Sequence, residues 1–577
     1  MNIKARLAQI NPQTGDIRGN KALIFEEIEK TGQDVDLIAF PEMALTGYCI
    51  RDLIENNAFI EENLEALDEI KEKTGETAVV LGFIDKEDGD LYNAAAVIQN
   101  GEIKGVSHKA LLPNYRYFDD KRYFDSGEDI KPIEIEVSGE KISLGVSICE
   151  DMWDSEYDRE PVSKLEEKGT DFLLNINASP FESGKRKKRH ELIQRHIKDT
   201  GLPFLYLNTA GVADMGDNIL VFDGDSLAYN FEGELIGKGK QFGQKSFKVD
   251  IETGKSGVFK GDEIETERRE KEIFEALSFA VKDYCRKTGF KKIVETISGG
   301  IDSSLGLAVC VEALGSENVE AFNLPSEVNV EETKRDAEKL AGNLGVKYSS
   351  IPVEDIYQET LESYEKNYSD VEDDVSKENV YARTRQMIMM LASNEKDSAL
   401  LVSNGNETEI GLGYVTLYGD MAGGLNILGD LSKKEVYEVA RYVNERHEKE
   451  VIPDSVFERR PSAELREGQV DPFDYSTVSP VIKEFLEERK DPQQIISEFE
   501  NQKLEEKRYS DRKTGESIYE KYSIKEFKDI VYDTHKRFQN SSFKRVQAPP
   551  IIAVSSRAFG TDFRESILNG YNPENSS

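Results

Sequence analysis

The segment Ser298-Gly299-Gly300-Ile301-Asp302-Ser303-Ser304 constrains this chain more than any other. An apolar run from Ile293 to Ile297 leads into it, and a second from Leu305 to Val309 leads out. That order predicts strand, glycine turn and helix, and so a layered α/β architecture. Two adjacent glycines let the backbone approach an anion closely. The unpaired N–H groups and positive dipole at the start of a helix suit a group such as pyrophosphate. Ser298, Ser303 and Ser304 can donate hydrogen bonds, and Asp302 can hold a magnesium ion. A β-turn with a serine cap is the plainer reading of Ser-Gly-Gly alone. No Gly-Lys-Ser/Thr ending follows, so the loop is not a Walker A motif.

At 577 residues the chain is too long for a single core, and at least two domains are expected. It has no apolar run of about 18 residues, so no membrane span is expected. Met1 to Arg6 leads into a strand-like segment and lacks the apolar core of a signal peptide. Cys49, Cys149, Cys285 and Cys310 show no CxxC spacing and no clustering with histidine. Neither a disulfide framework nor a zinc site is expected, and the reducing cytoplasm is the expected location. The formal net charge of −37 argues against nucleic acid or an anionic membrane as a partner. The acid excess is spread along the chain, which suggests adaptation to high salt. An acidic surface indifferent to salt is the alternative.

Short β-rich runs alternate with charged helical stretches through the first half, among them Leu37 to Phe40, Ala78 to Phe83, Ile142 to Ile148 and Phe172 to Asn177. Between about 251 and 270 the chain turns polar, so we place a first domain at 1–255, a linker at 256–268 and a second domain at 269–577. The second half has the βαβ rhythm of a doubly wound sheet. The charged stretch from about 483 to 530 reads as exposed helix and loop. No internal repeat stands out.

Two residues of the first half follow strand-like runs, Glu42 in Phe40-Pro41-Glu42-Met43 and Cys149 in Ser147-Ile148-Cys149-Glu150-Asp151, and Lys109 lies in His108-Lys109-Ala110-Leu111. Singly, each has a commonplace explanation, a solvated charge or a packed thiol. Together they resemble the nitrilase (carbon–nitrogen hydrolase) superfamily over about residues 1–250. The resemblance implies a nitrilase-like α-β-β-α sandwich and a catalytic Glu-Lys-Cys triad. Glu42 would take the proton of Cys149, and Lys109 would favour the thiolate and stabilise the oxyanion. Residues Tyr115, Ser179 and Lys185 match glutamine-binding positions of the glutaminase branch of that superfamily. Where relatives often carry a second glutamate, this chain has Asp120, one methylene shorter.

The Ser298–Ser304 loop resembles the PP-loop of ATP pyrophosphatases, whose domain is a doubly wound parallel sheet (adenine nucleotide alpha hydrolase-like). Further strings are Asn379 to Arg385, Ser403 to Glu409, Tyr414 to Gly424, Pro461 to Leu465, Lys544 to Pro550 and Ser556 to Gly560. With the nitrilase-like half, they resemble the glutamine-dependent NAD⁺ synthetase family over nearly the whole chain. The resemblance implies that ATP adenylates deamido-NAD⁺ and that ammonia from L-glutamine displaces AMP. ATP would be held by Ser298, Gly299, Gly300, Ile301, Asp302, Ser303, Ser304 and Asn404. The dinucleotide would meet Asn379, Arg383, Glu409, Lys433 and Lys544. Asp302 and Glu409 would hold Mg²⁺, and Ser462 would contact a phosphate. Relatives often read Thr-Gly-Asn-Lys-Ser-Glu where this chain reads Asn404 to Glu409. The change to Glu407 is expected to be surface acidification.

The same resemblance implies ammonia channelling between the two sites and a homo-oligomer. Other PP-loop amidotransferases usually carry different glutaminase domains. An RNA-thiolating enzyme would need a basic face. A scaffold with a dead first half is at odds with intact Glu42, Lys109 and Cys149. A synthetase that accepts only ammonia, because Asp120 cripples the first site, stays open.

Overall fold

The computed structural model describes residues 1–570 apart from 33, 255–256, 396–397, 463, 467 and 510–514. The chain divides into two compact units, one of Met1–Met215 with Leu220–Glu267, the other of Gly216–Ile219 with Arg268 onward.

The first unit holds two six-stranded sheets. One runs in the order Phe247–Glu252, Asn2–Leu7, Leu37–Ala39, Ala78–Glu87, Asp90–Gln99, Glu102–His108. The other runs Leu235–Lys238, Leu227–Tyr229, Phe204–Asn208, Phe172–Asn177, Glu140–Ile148, Ile133–Val137. The central strands of each pair in parallel and the outer ones antiparallel. Period-two alternation explains the layering. Phe172, Leu174 and Ile176 join Ile3, Leu37 and Val80 in one core between the sheets. Leu173, on the opposite face, packs with Val162 and Ile193 of the helices Pro161–Glu167 and Lys185–Thr200. Helices Ile17–Thr31 and Asn57–Lys73 cover the other sheet through Ile24, Ile60 and Leu67. The unit is an α-β-β-α sandwich.

Of the stretch 256–268, expected as a linker, residues 257–267 fall within this unit, residue 268 falls in the other and residue 256 lies outside the described ones. Phe259 and Ile264 pack into the helix-covered core, and His190 Nε2 donates to Asp262 O at 2.8 Å. The polar composition concealed two apolar anchors.

The second unit is built on parallel strands in the order Ile551–Ala553, Leu425–Asn426, Ala399–Ser403, Lys292–Thr296, Val319–Asn323, Lys347–Ser350. By position in the chain this is 6-5-4-1-2-3, a doubly wound sheet whose winding reverses between Lys292–Thr296 and Ala399–Ser403. Ligands of such sheets bind at the carboxyl ends of the strands flanking the reversal. The charged stretch 483–530 is a correction. Helices Tyr475–Leu486, Pro492–Glu500 and Ile524–Asn540 bury Ile482, Ile495, Phe499, Phe527 and Val531 in one cluster, with Phe499 stacked on Phe527 at 4.1 Å. Apolar residues at helical spacing form a stripe there, and the charges that dominate the composition lie on the other faces. Among the described residues no helix is long and apolar enough to cross a membrane. All four cysteines are buried and free.

Candidate active sites

In the first unit the expected residues sit at carboxyl ends of strands. Lys109 directly follows Glu102–His108, Cys149 follows Glu140–Ile148, and Glu42 lies three residues beyond Leu37–Ala39. Cys149 is held at φ 44°, a left-handed conformation costly for a side chain, on the turn that opens a short 3-10 helix. Asp151 fixes this turn. Its carboxylate accepts from Ile148 N at 2.9 Å and, on its other oxygen, from Ala110 N at 3.0 Å and Leu111 N at 2.8 Å. One side chain thereby ties the Cys149 turn to the Lys109 loop.

Lys109 is buried, and its Nζ donates to Glu42 Oε1 at 2.9 Å and to Asp120 Oδ2 at 2.7 Å. Burial opposes its charge, but Asp120 and Glu42 outweigh that and hold its pKa well above normal. Asp120 is also buried and accepts from Tyr48 Oη at 3.0 Å. The shorter carboxylate therefore reaches the lysine. Glu42 accepts further from Asn93 Nδ2 at 2.7 Å and from Ala178 N at 2.7 Å. Burial pushes the Cys149 thiol well up, reinforced by Glu42 and opposed by Lys109. A thiol within electrostatic reach of a carboxylate and an ammonium has the surroundings that nucleophilic catalysis requires.

Lys185 Nζ donates to Ser179 Oγ and to Pro180 O, both at 3.0 Å. Burial, aided by Arg189, lowers its pKa to about 8. Tyr115 is half exposed and its hydroxyl meets both oxygens of Glu150 at 3.1 Å. Asn93, Glu150, Asp151 and Asn208 were not singled out from the sequence. Only the string Cys149-Glu150-Asp151 hinted at any of them.

In the second unit the Ser298–Ser304 loop leaves the strand Lys292–Thr296 and opens the helix Ile301–Leu314. Gly299 has φ 81°, and a Cβ there would lie 2.2 Å from Thr333 O. No other residue fits that turn. The N–H groups of Ile301, Asp302 and Ser303 precede the first intrahelical bond and remain for a ligand. Two of the loop's side chains face inward. Ser304 is buried and donates to Gly300 O at 2.7 Å, and the Ile301 side chain lies in the core. These two shape the loop, and only the backbone of Ile301 is left to meet a phosphate. The Ser303 hydroxyl also donates to Gly300 O, at 3.2 Å, while Ser298 is exposed.

Asp302 and Glu409 converge on Lys433, whose Nζ lies 2.5 Å from Asp302 Oδ2 and 2.9 Å from Glu409 Oε1. Asn406, the cap of the helix Glu407–Leu412, donates Nδ2 to Asp302 Oδ1 at 2.8 Å. The two loops flanking the winding reversal are joined by these contacts. Burial raises Glu409 to about 7, opposed by Lys433. Two carboxylates that share one cation fit Mg²⁺, which takes one or two carboxylates and completes its shell with phosphate oxygens and water.

Asn379, Arg383 and Lys544 gather on the loop that follows Leu412. Thr416 Oγ1 donates to Asn379 Oδ1 at 2.9 Å, Arg383 Nε to Leu417 O at 3.2 Å, and Lys544 Nζ to Gly413 O at 2.9 Å and Val415 O at 2.7 Å. Burial lowers the Lys544 pKa, countered by Asp420.

Asn404 and Ser462 make local contacts of their own, and one further expectation, for Glu407, is corrected. Asn404 donates Nδ2 to buried Glu295 at 2.7 Å, so its amide nitrogen is committed beneath the loop. Ser462 donates its hydroxyl to Gln469 O at 2.6 Å, residues 463 and 467 lying outside the described ones. Glu407 is fully buried 3.5 Å from Lys483, so it is no surface acid.

Comparison with known proteins matches both units. The carbon-nitrogen hydrolase family profile matches residues 4–260 and the NAD synthase profile residues 273–546. A glutamine-dependent NAD(+) synthetase of Thermotoga maritima is 35% identical over 99% of this chain and 99% of its own. That of Aquifex aeolicus is 34% identical over 98% and 99%. The solved glutamine-dependent NAD+ synthetase of Acinetobacter baumannii, in complex with ADP, superposes with a TM-score of 0.73 at 30% identity, covering 99% of both chains. The structure from Cytophaga hutchinsonii, at TM-score 0.81 and 22% identity over 99% and 98%, shares the fold.

Proposed function

The chain belongs to the glutamine-dependent NAD⁺ synthetases, ATP-using enzymes with a glutaminase and a synthetase domain, and from that premise we propose which residues perform each half-reaction. The observation that carries the reading is the pair of convergent cations, Lys109 between Glu42 and Asp120, and Lys433 between Asp302 and Glu409.

In the glutaminase unit Cys149 Sγ attacks the carboxamide carbon of glutamine while Glu42 takes the thiol proton. Lys109 stabilises the oxyanion that forms. Collapse of the tetrahedral adduct breaks the C–N bond, and the proton held by Glu42 leaves with ammonia. The thioester that remains is hydrolysed by water, deprotonated by the same carboxylate, to give glutamate. Ser179, Lys185 and Tyr115 hold the amino-acid head. Asp120 keeps Lys109 charged and in place, which favours a working glutaminase over an ammonia-only enzyme.

In the synthetase unit the Ser298–Ser304 loop and the N-terminus of its helix cradle the ATP phosphates. The bound ADP of the Acinetobacter relative supports an adenine nucleotide here. A magnesium ion held by Asp302 and Glu409 would neutralise charge at the α-phosphorus. Asn379, Arg383, Lys433 and Lys544 bind deamido-NAD⁺, whose carboxylate attacks that phosphorus and releases pyrophosphate. Ammonia then adds to the acyl adenylate carbon and expels AMP, leaving the amide of NAD⁺. We further propose that ammonia is channelled between the sites, that the enzyme is a homo-oligomer and that it works in the cytoplasm.

The test assays purified protein with ATP, Mg²⁺ and deamido-NAD⁺, given glutamine or ammonium, for wild type and Cys149→Ala. Wild type should form NAD⁺ from both donors and the variant from ammonium alone. No NAD⁺ from either donor would refute the reading. With glutamine saturating, labelled external ammonium that equilibrates freely into the product amide would refute channelling.

A further inference from the structure

Ser179 lies on the loop that leads to Lys185, the first residue of the helix Lys185–Thr200, and the groups that hold its peptide form a buried polar network. The strands Phe172–Asn177 and Phe204–Asn208 pair in parallel up to Asn177 and Asn208, where the backbone ladder stops. The side chain of Asn208 continues it. Its Oδ1 accepts from Ser179 N at 2.9 Å, and its Nδ2 donates to Ser179 O at 3.1 Å and to Asp223 Oδ1 at 3.2 Å. Flipping this amide would set its NH₂ against the Ser179 N–H and its oxygen against the Asp223 carboxylate, so one orientation is enforced. Asp223 in turn receives Arg189 Nη2 at 3.2 Å and Nη1 at 3.3 Å, and the guanidinium lies 4.9 Å from the Tyr206 ring centroid. Asn208 and Arg189 have no exposed surface, and Asp223 retains 1%.

Burying a guanidinium and a carboxylate is costly, and apolar packing of similar volume often serves stability as well or better. This pair lies one residue behind the peptide that carries the Ser179 hydroxyl. Both backbone polar groups of Ser179 are committed to Asn208, which anchors the residue that carries Oγ, and Oγ is the acceptor that holds Lys185 Nζ. The preceding N–H, of Ala178, is bonded to Glu42. Successive peptides are thus gripped by the base and by the asparagine.

We propose that Asn208, held by Asp223 and Arg189, is a positioning residue for glutamine: it clamps the Ser179 peptide so that the Ser179 hydroxyl and the Lys185 ammonium meet the amino-acid head together. The inference rests on the reading that Ser179 and Lys185 form that pocket. Loss of the clamp should weaken glutamine binding and leave the synthetase untouched.

The experiment measures steady-state NAD⁺ formation by full-length Asn208→Ala, Asn208→Asp, Asp223→Asn and Lys185→Ala, with glutamine and with ammonium. Asn208→Asp keeps the acceptor but loses both donors and places a second carboxylate beside Asp223. Each Asn208 variant should raise KM for glutamine by about tenfold or more, the worth of one or two hydrogen bonds. Glutamine-supported kcat and the ammonium reaction should stay within about threefold of wild type, since the Ala178–Glu42 bond persists. Ammonium-supported activity also reports folding. If Asn208→Ala loses it by unfolding, Asp223→Asn, which preserves shape, carries the test with the same expected KM rise. An unchanged KM in the folded variants, or kcat falling with both donors at constant KM, would overturn the clamp. Lys185→Ala separates the two claims. A KM rise there with none in the Asn208 variants overturns the clamp alone, whereas no rise in Lys185→Ala overturns the pocket and the clamp with it.

Discussion

Asp120 Oδ2 lies 2.7 Å from Lys109 Nζ, so a side chain one methylene shorter than the glutamate of many relatives still closes the ion triplet. Removing it leaves a buried ammonium with Glu42 alone. Asp120→Ala should cost about 3 kcal/mol of stability and lower glutamine-supported turnover about a hundredfold. The ammonium reaction should persist. Denaturant melts and parallel assays with the two donors check this, and equal loss with both donors would contradict it.

Lys185 is cationic below its pKa, which burial has brought down to about 8. A carboxylate held by this ammonium is gripped below that pH and released above it. For the glutamine reaction kcat/KM should therefore fall as pH rises through about 8. Lys185→Arg, whose guanidinium stays charged, should move the fall to higher pH. A profile insensitive to Lys185→Arg would exclude Lys185 as its source.

Lys433 separates Asp302 from Glu409. Lys433→Met leaves two half-buried carboxylates facing each other without a cation. The variant should lose about 3 kcal/mol or more in urea unfolding and make no NAD⁺ from either donor. Glutamate release at the other unit should survive, measured with glutamine alone. NAD⁺ formation near the wild-type rate would remove Lys433 from the nucleotide site.

The helices of the charged C-terminal stretch are packed, with Phe527 fully buried against Phe499. Phe527→Ala should destabilise by about 3–5 kcal/mol. Hydrogen exchange should show protected amides across Ile524–Asn540. Rapid exchange there in the wild type would contradict the packing.

The net charge of −37 predicts self-repulsion that salt relieves. Raising KCl from about 0.01 M to about 1 M shortens the screening length from about 30 Å to about 3 Å, and the melting temperature should rise. A constant melting temperature would dismiss salt adaptation.

Local order along the chain was enough to place Glu42 and Cys149 at strand ends and Ser298–Ser304 between strand and helix, whereas the strand that carries Lys109 emerged only in the fold. Those features depend on residues within a few positions of one another, where turn chemistry and hydrophobic period act directly. Composition misled where burial decided. Glu407 reads as one more acid in an acidic chain, but helix packing puts it beside Lys483, 76 positions on in the numbering. The stretch 483–530 reads as solvated because its charges outnumber a narrow apolar stripe.

The sequence by itself determined an α/β chain of two domains, a glycine loop between strand and helix, and the chemical identity of a carboxylate, an amine and a thiol. Only the tertiary structure decided what those groups face. Glu42 meets the N–H of Ala178 across 136 positions, Asp302 meets Lys433 across 131, and Asp151 joins the lysine loop to the cysteine turn across 41. Such partners are set by which strands lie side by side and in what register. That is a property of the packed sheets as a whole, and no local pattern of residues encodes it.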